Sequence, residues 1–316
     1  MANSETLAIV GAGGVLGAKL VAQALDARSG DGDTPRYPHI YAYTHGTTPA
    51  IPAASSPRVT WAPLDIGDPD AVARALDEAK PGSVINAAAM TNVDACEIRR
   101  DEAMAVNAGG PRALAQVCKR LGARLLHVST DYVFDGSDAH PGPYLEDAPT
   151  HAISHYGHSK LEGERAIQEV YGSDGDWLIA RTALVYGYVP GGRGNFITWL
   201  LGELRAGRRV RIVNDQYNTP TLADDLAAAL LHLAETHAEG IIHIAGPELL
   251  ARDAWARAIA DHYGLDTSLI DIVSTAELNQ RAKRPLRSGL ITSRPDDLAG
   301  VTLHGVHGGI AALGLE

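Results

Sequence analysis

The chain has 316 residues, 45% hydrophobic and 21% charged, a composition suited to one large globular domain with a smaller lobe. Its 27 Lys and Arg against 38 Asp and Glu give a net charge of −11. This argues against a nucleic-acid polymer as partner, because phosphate neutralisation needs clustered excess basic charge. No apolar run approaches membrane-spanning length and the polar Met1–Thr6 stretch lacks a signal-peptide pattern, so no membrane contact and a cytoplasmic location are expected. Cys96 and Cys118 read as free thiols too far apart on one helix to bond.

In chain order, Leu7–Val10 reads as a strand ending in glycine, and Val15–Ala27 as a helix. A loop over Arg28–Pro38 leads to a strand at His39–Thr44, and a second loop over Thr47–Pro57 to a strand at Val59–Pro63. Asp68 caps a helix through Ala79, and Val84–Ile85 ends a strand at Asn86. Glu97–Leu121 reads as one helix, followed by a strand at Arg124–Val128, a helix at Ser159–Val170 and a strand at Trp177–Ala180. This alternation predicts an α/β fold, a Rossmann-type, doubly wound parallel sheet covered on both faces. Beyond Arg181 the pattern loosens into helices at Asn195–Arg205, Leu222–Glu235 and Arg252–Tyr263 and strands at Val210–Val213 and Ile241–Ile244. Residues 1–182 are therefore expected to form a dinucleotide-binding domain carrying the catalytic groups. Residues 183–316 would form mainly a smaller α/β substrate lobe over the carboxyl edge of the sheet, with chain crossings back to the first domain.

Gly11-Ala12-Gly13-Gly14-Val15-Leu16-Gly17 lies between a strand and a helix, the context of a dinucleotide fingerprint. Gly11 allows the tight turn, Gly14 close approach of a pyrophosphate, and Gly17 close packing of helix on strand. The second strand ends in Thr44 and His45 with no carboxylate, which tolerates a ribose 2′-phosphate and favours NADPH, with NADH as the alternative. Asp65 and Ile66 are placed to hold an adenine, and Ala87, Ala88 and Ala89 are small enough for a cofactor to lie against the backbone.

Tyr156 and Lys160, four apart on a helix, share one face. A neighbouring ammonium would favour phenolate, making Tyr156 a usable proton donor, and Lys160 could also hold ribose hydroxyls. Thr130 would bind a carbonyl oxygen and orient it. His151, His155 and His158 are loosely spaced around Tyr156 and no metal site is expected. The Tyr144–Asp147 segment follows a turn-rich stretch and is expected to line the substrate cleft.

Longer strings carry a resemblance. They are Val84–Ala89, Thr91–Asp94, Val106-Asn107-Ala108, His127–Gly136, Tyr156–Glu164, Arg181-Thr182, Val185-Tyr186-Gly187, Asp215-Gln216, Thr219-Pro220-Thr221 and Arg284-Pro285 with Ser288. In this order they resemble the extended short-chain dehydrogenase/reductases, and among them the dTDP-4-dehydrorhamnose reductase family, over about residues 6–295. The resemblance implies that Thr130, Tyr156 and Lys160 are the catalytic trio, that Asn107 supports the proton relay and contacts cofactor, and that Ser129 lies against the cofactor. It implies a nucleotide-linked 4-keto-6-deoxy sugar as substrate, reduced at C4, with Asp131, Tyr132, Leu184, Gln216, Arg284, Arg287 and Ser288 around it. Guanidinium groups in Arg281–Ser288 would suit its diphosphate.

Three departures stand out: a longer connection over 28–58, Leu184 where the family commonly has tryptophan, and Arg287 where it often has asparagine. They leave two other readings: reduction of a non-sugar ketone in secondary metabolism, or an NADP-binding regulatory subunit like that of methionine adenosyltransferase. A homodimer is compatible with either enzyme reading.

Overall fold

The computed structural model describes residues 3–29, 32–46, 48, 49, 51–173, 175–192 and 194–315; Met1, Ala2, Gly30, Asp31, Thr47 and Ala50 of the segments read above lie outside them. The main layer contains β1 (Asn3–Val10), β2 (His39–Thr44), β3 (Val59–Pro63), β4 (Pro81–Asn86), β5 (Arg124–Thr130), β6 (Trp177–Thr182) and a late strand at Gly240–His243. They form one parallel sheet in the order Gly240–His243, β6, β5, β4, β1, β2, β3. This is the doubly wound Rossmann arrangement expected. The strand order reverses beside β1, and the crevice between β1 and β4 at the carboxyl edge is where such sheets take ligands.

The apolar strands are buried on both faces because helices cover both sides. Leu7 and Ile9 join one hydrophobic core while Ala8 and Val10 join the other, the alternation a strand imposes. Leu126 and Leu178 lie with the first set, Leu125 and Ile179 with the second. Asp68 caps the helix Pro69–Ala79 as expected, accepting from the amides of Asp70 and Ala71.

Two expectations require correction. Glu97–Leu121 is not one helix: it is divided into Val93–Ile98, Arg100–Met104, a π-helical turn at Ala105–Gly109, and Gly110–Leu121. Pro111 has no amide to continue the ladder, so the chain loosens just before it. Cys96 and Cys118 consequently lie on different helices, both buried and free. The helix expected from Ser159 starts at His155 and runs to Tyr171. Its cap is Ser154, whose hydroxyl accepts from the Gly157 amide at 3.2 Å. The first turn has no apolar periodicity, which hid it from a pattern reading.

Beyond β6 the chain builds a separate core around Trp255, Tyr186, Ile197, Leu200 and Ile259. Three two-stranded pairings frame it: 185–186 with 221–222, 217–218 with 250–251, and Val210–Val213 with Ile270–Val273. The strand Ile270–Val273 carries no sequence reading because it is short and half-exposed. The helix Ala223–Leu233 leaves this region and adds Leu226, Leu230 and Leu233 to the core beneath the Val15–Asp26 helix.

Candidate active site

The turn after β1 is shaped by missing side chains. Gly11 sits at φ +86°, a left-handed conformation, and a Cβ there would stand 2.5 Å from the Ala88 amide nitrogen. A Cβ on Gly17 would stand 2.2 Å from the Gly11 carbonyl oxygen, so the helix can pack this close only with glycine. Gly14 differs: it is exposed, and a Cβ there would meet only the Gly11 oxygen, at 3.5 Å. The helix Val15–Asp26 has no side-chain cap and no acidic residue in its first turn. A cradle that a Cβ would fill, at an uncapped helix N-terminus, fits a pyrophosphate. Gly13, Val15, Leu16 and Ala87–Ala89 are partly exposed around it.

The adenosine side is more open. Thr44 is buried and its hydroxyl donates to the Gly46 carbonyl at 2.9 Å. His45 is exposed, with Nε2 3.8 Å from an Asp65 carboxylate oxygen. The other Asp65 oxygen accepts from the Gly67 amide at 2.8 Å, while Ile66 is buried beneath.

Lys160 and Glu164 dock onto β5 in register. His127 and Ser129, two apart on the strand, meet Lys160 and Glu164, four apart on the helix. Two strand residues span about 6.8 Å and four helical residues about 6 Å, so the spacings match. Gly163 lets the helix approach the π-helical turn, since a Cβ there would stand 2.2 Å from the Asn107 carbonyl oxygen. Arg181 clamps Glu164 at 2.7 Å in a pair with both side chains almost wholly buried. Ser129 donates to the same carboxylate, so its hydroxyl faces Glu164.

Lys160 is only 2% exposed; its ammonium nitrogen lies 2.7 Å from the Val128 carbonyl and 3.2 Å from His127 Nε2. Burial lowers its pKa to about 8, opposed by the Glu164 charge. Burial, with Lys160 beside it, holds His127 well below its ordinary value. Tyr156 is 9% exposed and packs edge-on to Tyr132 at 5.4 Å. Burial raises its phenol pKa, and a hydrogen bond with Thr130 acts in the other direction. The lowering expected from Lys160 is not among these influences: the ammonium faces β5. Thr130 Oγ1 is 3.2 Å from an Asp131 oxygen and accepts from the Tyr132 amide.

Asn107 is 1% exposed. Its carbonyl oxygen accepts from the Met90 amide at 2.8 Å, and its amide donates to the Met90 carbonyl and to Ser159 Oγ. Ser159 in turn donates to the Tyr156 carbonyl at 2.8 Å. The Asn107 side chain thus ties the segment after β4 to the helix bearing Tyr156, rather than projecting into the cleft. His127 and Ser159 were not among the sequence candidates. Ser159 beside Lys160 and the period-two spacing of His127 with Ser129 were the available signals.

The expected polar substrate residues largely hold protein partners. Asp131 is buried and accepts from Ser288 Oγ at 2.6 Å; burial raises its pKa against the hydrogen bonds of Ser288 and Thr130. Arg284 pairs with Asp94 at 2.8 Å, and Arg287 pairs with Asp138 at 2.8 Å on the surface. Gln216 donates to Thr275 Oγ1 at 2.9 Å. Leu184 holds φ +46°, an uncommon conformation for a branched side chain, and packs against the lobe core. Tyr144, expected to line the cleft, is instead buried and stacked on Phe134 with ring centroids 4.1 Å apart.

The family model described as RmlD substrate binding domain matches residues 5–312. The dTDP-4-dehydrorhamnose reductase of Mycobacterium tuberculosis is 39% identical over 304 residues, covering 95% of this chain and 89% of that protein. The enzyme of the same name from Streptomyces griseus is 41% identical over 236 residues, covering 73% of this chain and 75% of that protein. Among solved structures, dTDP-4-dehydrorhamnose reductase from Bacillus anthracis in complex with NADP superposes with a TM-score of 0.79 at 26% identity, covering 98% of this chain and 99% of that one.

Proposed function

Because the chain belongs to the RmlD substrate binding domain family, we propose that it is an NADPH-dependent oxidoreductase that reduces the C4 keto group of a nucleoside-diphosphate 4-keto-6-deoxy sugar. The observation that carries this reading is the placement of Thr130, Tyr156 and Lys160 at the carboxyl end of β5, on the same sheet edge as the glycine cradle after β1. NADPH is the preferred cofactor and NADH the alternative. The cradle and the small Ala87–Ala89 segment would hold it, with Thr44 and His45 at the ribose phosphate, Asp65 and Ile66 at the adenine, and Ser129 nearby. Residues 1–182 serve as the dinucleotide domain and 183–316 mainly as the substrate lobe.

When bound, the reduced nicotinamide supplies the hydride. Thr130 Oγ1 orients the ketone oxygen and steadies negative charge developing on it. Tyr156 holds its proton at neutral pH, since burial raises its pKa, and delivers it to that oxygen. Lys160, whose ammonium faces β5 rather than the phenol, would serve by binding the nicotinamide ribose hydroxyls. Asn107 acts on the reaction indirectly, by positioning the helix through Ser159.

No helix among the described residues is long and apolar enough to cross a membrane. A cytoplasmic location and a homodimer complete the reading; fractionation and light scattering test them. The direct test is consumption of NADPH, then NADH, with dTDP-4-keto-6-deoxy sugars, using Tyr156→Phe as control. Turnover lost in the control supports the assignment. Tight NADPH binding without turnover on any such sugar would overturn it.

A further inference from the structure

Resting on that reading, we infer that Arg252, in the lobe, is the residue that recognises the substrate's anionic diphosphate, and so selects a nucleotide-linked ketone over a neutral one. Arg252 opens the helix Arg252–His262, and its amide donates to the Gln216 carbonyl at 2.9 Å. Its guanidinium lies 5.0 Å from the ring centre of Phe196 and 5.9 Å from that of Trp255. These two rings stack on each other at 4.9 Å, and Trp255 is buried. The guanidinium is therefore seated on an aromatic shelf, which fixes its position without neutralising it.

Asp131, Arg284 and the Tyr132 phenol lie within electrostatic reach of it. Tyr132 is the ring packed against Tyr156, so Arg252 is within electrostatic reach of the proton donor's immediate neighbour. In a 4-keto sugar carrying a diphosphate at C1, the anion is across the sugar ring from the reacting carbon. An anion site set off from Tyr156 on the lobe side, beside Gln216, suits that shape.

The other arginines at the cleft already have carboxylate partners: Arg181 has Glu164, Arg284 has Asp94 and Arg287 has Asp138. Among the described residues Arg252 enters no ion pair. Asp131 lies within electrostatic reach of it but is committed to the Ser288 and Thr130 hydroxyls. Arg252 is desolvated enough for burial to lower its pKa, and Arg284 adds like-charge repulsion. Desolvated charges in proteins are ordinarily paired, so a partly buried guanidinium beside a second cation is suited to an anion brought by the ligand. The exposed Arg281 and Lys283 carry neither the shelf nor the proximity to Tyr132.

The test uses Arg252→Met, which keeps an apolar stem over the shelf, and Arg252→Lys, which keeps the charge. Calorimetry with NADP+ present measures binding of dTDP, UDP and thymidine to each variant. Loss of a charge-assisted contact predicts dTDP and UDP affinity lower by about ten- to a hundredfold in Arg252→Met. Arg252→Lys should be intermediate, thymidine and NADP+ affinities unaltered, and KM for the keto sugar raised in parallel. Unchanged dTDP affinity in Arg252→Met would overturn the inference. Equal loss of NADP+ binding in both variants would overturn it too, by showing a structural role. Arg252-dependent dTDP binding by a protein that reduces no keto sugar would sink the reductase reading and leave this site standing.

Discussion

On the cofactor side of the cleft, Gly11, Gly14 and Gly17 act through the side chains they lack, whereas on the substrate side Gln216, Arg284, Arg287 and Ser288 each hold a protein partner. The first surface is a backbone mould whose shape is set by chain geometry. The second is a network of paired polar groups whose partners come from distant segments, such as Asp94 for Arg284 and Asp131 for Ser288. A mould tolerates few substitutions, because the clash is with main chain. A paired network can be rewired by exchanging partners.

The largest effect is expected where the two sides meet. Tyr156→Phe should lower turnover by about 10²–10⁴-fold, the usual contribution of a positioned general acid, while calorimetry finds NADPH affinity unchanged. Equal turnover in that variant would remove the proton-donor role. Next comes the shared foundation: Glu164→Ala strands Arg181 in the interior and should cost about 3–5 kcal/mol in denaturant unfolding. A cost near that of a surface pair would mean that the clamp is dispensable.

Lys160 gives a signed pH test. Its folded pKa of about 8 lies below the ordinary lysine value near 10.4, so the unfolded chain binds more protons between these values. Stability should therefore rise with pH across about 8 to 10.4, by on the order of 3 kcal/mol at most, relative to Lys160→Met. Unfolding curves for both proteins at pH 7.5 and 10 would show the gain; parallel curves would refute it.

Within the mould, Gly17→Val and Gly14→Ala should behave differently. The first forces backbone apart and should lower both melting temperature and NADPH affinity. The second meets only the Gly11 oxygen at ordinary van der Waals distance and should weaken NADPH alone. If both lower the melting temperature equally, the distinction fails. The smallest effect is expected at Arg287, exposed and paired with Asp138: Arg287→Ala should change stability by no more than about 1 kcal/mol. Its KM for the keto sugar should change less than that of Arg252→Met, and a larger change would return the diphosphate contact to the Arg281–Ser288 segment.

The sequence alone was enough to place most of the alternating strands and helices of the sheet and the glycine turn, because each is written in local periodicity or short spacing. It was not enough to show that Glu97–Leu121 is divided by a π-helical turn before Pro111, or that Asn107 is consumed by Met90 and Ser159. The second of these depends on an amide and a hydroxyl brought together from residues 52 apart. The direction of the Lys160 ammonium was decided in the same way, by the docking of its helix on β5 beside His127. Arg252 shows the limit most plainly. Nothing in its neighbouring residues distinguishes it from any other arginine at a helix start. Its lack of a carboxylate, its aromatic shelf and its nearness to Tyr132 exist only once three remote segments pack together. Local chemistry is encoded by neighbours in the chain, but which charges remain uncompensated is a property of tertiary packing.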